Sequence, residues 1–201
     1  MTPSPPAESM SDADLRAFVA GLLGQAPTKA ASLFGLQARW IETPIGPMLA
    51  VAGDDGLHLL EFAERRGLPR ELERLQARRG AISFGDNDVL AQTAREIDGY
   101  FAGTLMAFSV SSAQAGSAFE RSVWAALQAV PSGEIHTYKS LAHSLGRPEA
   151  IRAVARANGT NQLAIIVPCH RIIGSDGAMV GYGGKIWRKQ WLLDHERRHA
   201  D

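Results

Sequence analysis

The sequence predicts an α+β fold: a small antiparallel sheet with flanking helices in the first half, and a mostly helical second half that holds a helix-turn-helix. Short β-rich runs cluster between residues 40 and 62, separated by Pro, Gly and Asp turns. Apolar residues recur at helical spacing on both sides of these runs. Two short helical segments then follow one another around Gly146 and Pro148.

The elements follow in order. Met1 to Met10 holds three prolines among small polar residues and is expected to be a disordered lead-in. Ser11 is placed to cap a helix with Asp14 three residues on, and Leu15, Phe18, Val19, Leu22 and Leu23 give that helix one apolar face up to Gly24. A helix this short is marginal alone, so it needs a surface to pack on. Residues 1–36 therefore read as a tail plus an amphipathic helix.

Residues 40–43, 48–52 and 57–62 read as the strands of an antiparallel meander, broken by Pro44, Gly46 and Pro47, and Asp54, Asp55 and Gly56. Helices at about 67–80 and 88–102 follow, with Phe108, Ser109 and Val110 as a last strand. The unit over 37–112 carries no cluster suited to chemistry and reads as a scaffold.

A polar linker over 111–117 leads to the second unit, 116–201. Phe119, Val123, Trp124 and Leu127 mark a helix that Pro131, Ser132 and Gly133 end. Residues 138–148 and 149–159 then form two helices around a turn, with Pro148 opening the second. By composition such a pair is more often helical packing than a DNA reader. On the second helix, Ala150, Ala153 and Ala157 share a face that lets a backbone come close, and Arg152 and Arg156 add positive charge beside it. Such a surface suits a shallow minor groove held without sequence reading. The apolar residues Leu163, Ala164, Ile165, Ile166 and Val167 read as a strand stopped by Pro168.

Composition excludes several classes. The chain has 201 residues, 45% hydrophobic, with no apolar run near the roughly 20 residues that cross a bilayer. Its start has neither a basic segment nor an apolar one, so a cytoplasmic location is expected and no membrane partner. A single cysteine rules out an intrachain disulfide and a multi-cysteine zinc cluster, and no metal or cofactor is expected. The net charge of zero hides an asymmetry: residues 1–115 carry 10 Lys+Arg against 14 Asp+Glu, and residues 116–201 carry 11 against 7. The second half alone has the sign a polyanion favours.

That one cysteine, Cys169, stands in Val167-Pro168-Cys169-His170-Arg171-Ile172-Ile173. A thiol has a reference pKa of about 8.5 and needs a base to become a good nucleophile at neutral pH. His170 can be that base, and Arg171 is expected to favour the thiolate. A buried structural cysteine is the other reading. Neighbours in a strand point to opposite faces, which argues against a Cys169–His170 pair, but Pro168 ends the strand.

Taken with Asn161 and Arg152-Ala153-Val154 before it, and Gly181-Tyr182, Leu192-Leu193 and Glu196 after it, Pro168-Cys169-His170-Arg171 resembles the O6-alkylguanine-DNA alkyltransferases. The likeness runs from about Trp40 to Glu196 and is strongest from Phe119. It implies a ribonuclease H-like sheet domain and a winged helix-turn-helix. It also implies a monomer that takes double-stranded DNA with little sequence preference and moves the alkyl group of O6-alkylguanine, and of O4-alkylthymine, onto its own cysteine, once per molecule.

The resemblance assigns roles residue by residue. Cys169 matches the nucleophile, and His170, through water, and Glu196 match its activating relay. Asn161 matches the asparagine that braces the turn before the active-site strand. Tyr138 matches the tyrosine that meets the extruded guanine and helps protonate it, and Arg152 the arginine that fills the vacated stack. Ala150, Ala153, Arg156 and Tyr138 belong to the DNA-binding face, and Tyr182, Gly183, Ile172 and Val167 to the substrate pocket. Lys185 departs from the pattern, since glycine is commoner there. A DNA module that binds alkylated bases without chemistry is the alternative, though proteins of that type replace the cysteine. A cysteine hydrolase needs an oxyanion hole that nothing in the sequence suggests.

Overall fold

The computed structural model describes residues 11–24 and 35–199. The expected lead-in at Met1 to Met10 lies outside the described residues.

Three strands, β1 (Leu36–Ile41), β2 (Met48–Gly53) and β3 (Gly56–Phe62), form the predicted antiparallel meander. A fourth, β4 (Ile82–Phe84), adds itself parallel to β1, giving the order β3-β2-β1-β4. Three residues are too few to show a period, so β4 was not legible as a strand. Strands β2 and β3 are buried on both faces, which is why they read as continuous apolar runs.

Helix α1 (Asp12–Gly24) and α2 (Leu68–Arg79) cover one face. Val19, Leu22 and Leu23 of α1 pack with Leu72 and Leu75 of α2 and with Leu49, Val51 and Leu59 of the sheet. The Ser11 cap is formed: its hydroxyl accepts from the Asp14 N–H at 3.2 Å. The other face, with Ala50, Leu57, Leu60 and Phe62, packs on α3 (Asp88–Phe101) and on the helical half, so one core runs through both halves.

Phe108, Ser109 and Val110 do not form a strand. The Glu96 carboxylate on α3 accepts the N–H groups of Ser109 and Val110 at 2.9 and 3.2 Å, taking the bonds a neighbouring strand would have made.

The helical half is α4 (Ala118–Gln128), α5 (Tyr138–Ser144), α6 (Ile151–Gly159) and α7 (Ile186–His199). Helix α4 opens with a Ser117–Glu120 capping box and α5 is capped by Thr137. The helix-turn-helix is α5–α6, with Gly146 at φ +66° in the turn. Its second helix begins at Ile151, not at Pro148, because the Ala150 N–H returns to the Arg147 carbonyl in a turn before the Val154 N–H bonds to Ala150. Ala157 does not share the exposed face: it is buried, and its carbonyl accepts the Trp124 indole N–H at 2.9 Å. A two-residue parallel ribbon, β5 (His136–Thr137) with β6 (Ile172–Ile173), brackets the pair and supplies an abbreviated wing.

Candidate active site

The segment before Cys169 is a turn, not the expected strand. It meets the sheet through one bridge, Leu60 to Leu163, and then bends at Ile165, whose φ of +74° is rare for a β-branched residue. Asn161 holds this bend. Its side-chain oxygen accepts the Leu163 N–H at 3.0 Å, and its amide nitrogen reaches the carbonyls of Val167 at 2.9 Å and Leu163 at 3.3 Å and the Cys169 Sγ at 3.2 Å. The same residue shapes the turn and hydrogen-bonds the sulfur.

After Pro168 the chain makes one 3₁₀ turn, Cys169–Arg171, in which all three side chains are buried. The alternation of a strand therefore does not separate Cys169 from His170. His170 Nε2 lies 2.7 Å from Glu196 Oε1 on α7. Glu196 also accepts the Tyr100 hydroxyl at 2.9 Å, the Arg171 guanidinium at 2.8 and 2.9 Å, and the Gly133 N–H at 3.3 Å. Burial opposes ionisation of Glu196, yet the bonds from His170 and Arg171 outweigh it and hold the carboxyl well below its usual range. Burial keeps His170 below its ordinary pKa and hence neutral. A neutral imidazole facing a carboxylate places its proton on Nε2, which leaves Nδ1 as an acceptor. Nδ1 is buried and has no protein partner.

Arg171 does not serve the sulfur as its sequence position suggested. Its guanidinium is spent on Glu196 and, at 2.5 Å, on the Val130 carbonyl. The cations whose charge reaches Cys169 are Arg65 and Lys189. Nor is the sulfur ionised in the free protein, as the sequence reading required. Burial pushes the Cys169 thiol up to about 11, with the nearby Glu61 adding to the rise and the Asn161 bond opposing it.

Cys169 opens onto a narrow cleft between the end of α6 (Asn158 and Gly159), the glycine loop (Gly181 to Gly184), and Glu61 of β3 with Arg65 just past it. Tyr182 and Gly183 line it as expected, whereas Val167 and Ile172 are fully buried and do not. Tyr138 is buried rather than set on an outer DNA face, and its hydroxyl lies against Gly181 and 3.5 Å from the Asn158 amide. Only glycine fits position 181, where a Cβ would collide with that hydroxyl and φ is +71°. Besides His170 Nδ1, three buried polar atoms of cleft-lining residues have no protein partner: Glu61 Oε2, Asn158 Oδ1 and the Tyr182 hydroxyl.

Glu61, Arg65, Asn158 and Tyr100 were missed from sequence. One signal was available for Glu61: a lone carboxylate inside the apolar run 57–62, at a position with both faces of the strand buried. Lys185, at φ +76°, bonds Glu64 Oε2 at 2.6 Å, and Arg188 reaches the other oxygen at 3.0 Å, so the glycine loop is tied to the sheet half. On α6, Arg152, Ala153 and Arg156 are exposed, Ala150 is half-buried, and neither arginine is paired with a carboxylate among the described residues.

The comparisons with known proteins match both halves. The ribonuclease-like domain of 6-O-methylguanine DNA methyltransferase matches residues 37–111, and the DNA binding domain of the same proteins matches residues 118–198. The chain belongs to the 6-O-methylguanine DNA methyltransferase family. A methylated-DNA–protein-cysteine methyltransferase of Methanosarcina barkeri is 40% identical over 159 residues, covering 79% of this chain and 96% of that one. The crystal structure of the Mycobacterium tuberculosis O6-methylguanine methyltransferase superposes with a TM-score of 0.71 at 37% identity, covering 83% of this chain and 95% of that one. OGT of the same bacterium in complex with DNA gives 0.68 at 36% identity, covering 83% and 94%. The α+β architecture, with a ribonuclease-like sheet and a helical DNA-binding half, is that of the methyltransferase family. No helix among the described residues is long and apolar enough to cross a membrane.

Proposed function

We propose that this protein repairs DNA by transferring the alkyl group of O6-alkylguanine, and of O4-alkylthymine, irreversibly to the sulfur of Cys169. One observation carries the reading: the chain's single thiol opens on a cleft lined by residues with unpartnered polar atoms, beside a neutral histidine whose free nitrogen is an acceptor. Unpaired buried polar groups cost free energy, and a base that pairs with them recovers it.

The α6 face of Ala150, Ala153, Arg152 and Arg156 takes double-stranded DNA through its backbone, with little sequence preference. Arg152 enters the stack as the damaged base leaves it. Within the cleft, Asn158 and Tyr182 meet the purine, and Asn161 and Gly183 hold the walls. Sγ attacks the alkyl carbon in line with the C–O bond. A carbon–sulfur bond forms, the bond to the base oxygen breaks, and its electron pair stays on guanine. The thiol proton passes through water to His170 Nδ1, and Glu196 stabilises the imidazolium. The Tyr138 hydroxyl, kept protonated by burial and the nearby sulfur, is in position to donate to the leaving base. The thioether is stable, so each molecule reacts once.

In this reading residues 37–112 are the α+β unit that lends Glu61 and Arg65 to the cleft wall, residues 116–201 are the DNA-binding and acceptor unit, and the protein acts as a cytoplasmic monomer. The test is to incubate it with duplex DNA carrying O6-methylguanine and weigh the peptide that contains Cys169. A gain of one methyl group is expected. Binding with no change in mass would leave a non-catalytic module that recognises alkylated bases.

A further inference from the structure

The cleft is closed by a side chain from the other half of the molecule. The Arg65 guanidinium, just past β3, spans its mouth: Nη2 bonds the Gly159 carbonyl at 3.1 Å on one side, and on the other a Cβ at Gly183 would lie 2.6 Å from Nε. Nη1 is pinned by both oxygens of Glu71 at 2.6 Å and by Glu61 Oε1 at 3.2 Å. With Arg65 in place, the space beside the sulfur has room for about one water molecule. A purine is far larger, so part of the wall must move before any base reaches Cys169. The other walls are the end of α6, the glycine loop and the turn that Asn161 braces. Arg65 is the long, flexible piece, and Glu71 already offers its head a two-oxygen resting place.

We propose that Arg65 is the gate of the acceptor cleft and sets which alkylated bases reach Cys169. This rests on the alkyl-transfer reading above. An incoming base displaces the guanidinium from Gly159 and Gly183 while Glu71 retains it, so the gate opens by a swing about that ion pair. A large substituent on the base oxygen needs a wider swing than a methyl group and is slowed more. Gly183 is required for the closed position, since a side chain there would occupy the space of the Arg65 head.

The test compares the rates at which Cys169 is alkylated by one oligonucleotide carrying either O6-methylguanine or O6-benzylguanine. The ratio of the two rates cancels any change in thiol ionisation, DNA affinity or folded fraction, because both substrates share them. Arg65→Ala is expected to raise the benzyl-to-methyl ratio by about tenfold, the low end of what a change in pocket size yields. Arg65→Lys, which keeps the charge but loses the fork, and Glu71→Gln, which loosens the pin, move the ratio the same way by less, and they serve if the alanine variant does not fold. A ratio within about twofold of wild type in these variants, with alkylation still proceeding, overturns the gate and leaves the repair reading intact. No alkylation of the wild-type protein by either substrate removes both.

Discussion

His170 and Glu196 meet at 2.7 Å with both side chains sealed from solvent, and Arg171 closes on the far oxygen of the same carboxylate at 2.8 Å. This pair fixes the histidine tautomer, and its electrostatics can be read out directly. Glu196→Gln leaves a buried guanidinium without its counter-charge, a change that costs about 3–5 kcal/mol. For a chain of this size the expected fall in melting temperature is roughly 6–20 °C. Because the folded-state pKa of Glu196 lies below the unfolded value, its stabilisation is present above about pH 4.5 and lost as pH falls. Acid unfolding of Glu196→Gln should therefore depend less steeply on pH than that of wild type. Equal slopes would mean that Glu196 is not ionised in the fold.

Cys169 should react with iodoacetamide only through the small thiolate fraction that a high-pKa thiol carries at neutral pH. With its pKa pushed up to about 11, the alkylation rate is expected to climb through neutral and mildly alkaline pH without levelling off. In the unfolded chain the same residue should level off above its reference pKa of about 8.5. The sign for stability follows: protonated sulfur favours the fold fully below the unfolded pKa, and that contribution fades as pH rises toward the folded one. A plateau below about pH 8 in the native protein would contradict the burial argument.

Arg152→Ala should slow repair of O6-methylguanine in duplex DNA far more than reaction with free O6-benzylguanine, since only the duplex has a vacated stack to fill. Alkylation rates on the two substrates decide it. Equal loss on both would show that the residue acts on the cleft rather than on the helix.

Lys185 combines a left-handed backbone with an exposed ion pair to Glu64. Glycine at this position removes a strain of about 1–2 kcal/mol and an ion pair worth about 0–1 kcal/mol, so Lys185→Gly should leave the melting temperature near or slightly above wild type. Lys185→Ala keeps the strain and loses the pair, and should be the least stable of the three. Thermal unfolding of the three proteins checks the order, and a glycine variant less stable than the alanine one would overturn it.

The legible parts of this molecule were those decided locally. Turn residues and apolar runs marked β1 to β3, Ser11 announced the cap of α1, and Gly146 the turn of the helix pair. What escaped was set by tertiary contacts. The residues of β4 show no period, and Ser109 and Val110 gave their N–H groups to Glu96 instead of a strand. The bend at Ile165 exists because Asn161 supplies the hydrogen bonds that a strand would have supplied. Arg171 is adjacent to the reactive pair along the chain but is spent on Glu196, while Arg65, more than a hundred residues away, reaches the sulfur's surroundings. The meaning of Glu61 and Arg65 emerges only when the two halves share one core, so a unit read as a scaffold turned out to line the cleft.

The partners of the Glu196 carboxylate come from α3, from the segment after α4, and from the 3₁₀ turn, while the carboxylate itself sits near the end of α7. One carboxylate thus fastens the last helix to three separate stretches of the chain. Unwinding the final turn of α7 would strip the counter-charge from the Arg171 guanidinium and the tautomer lock from the His170 imidazole in the same event, so fraying at that end would reach the cysteine's neighbour directly.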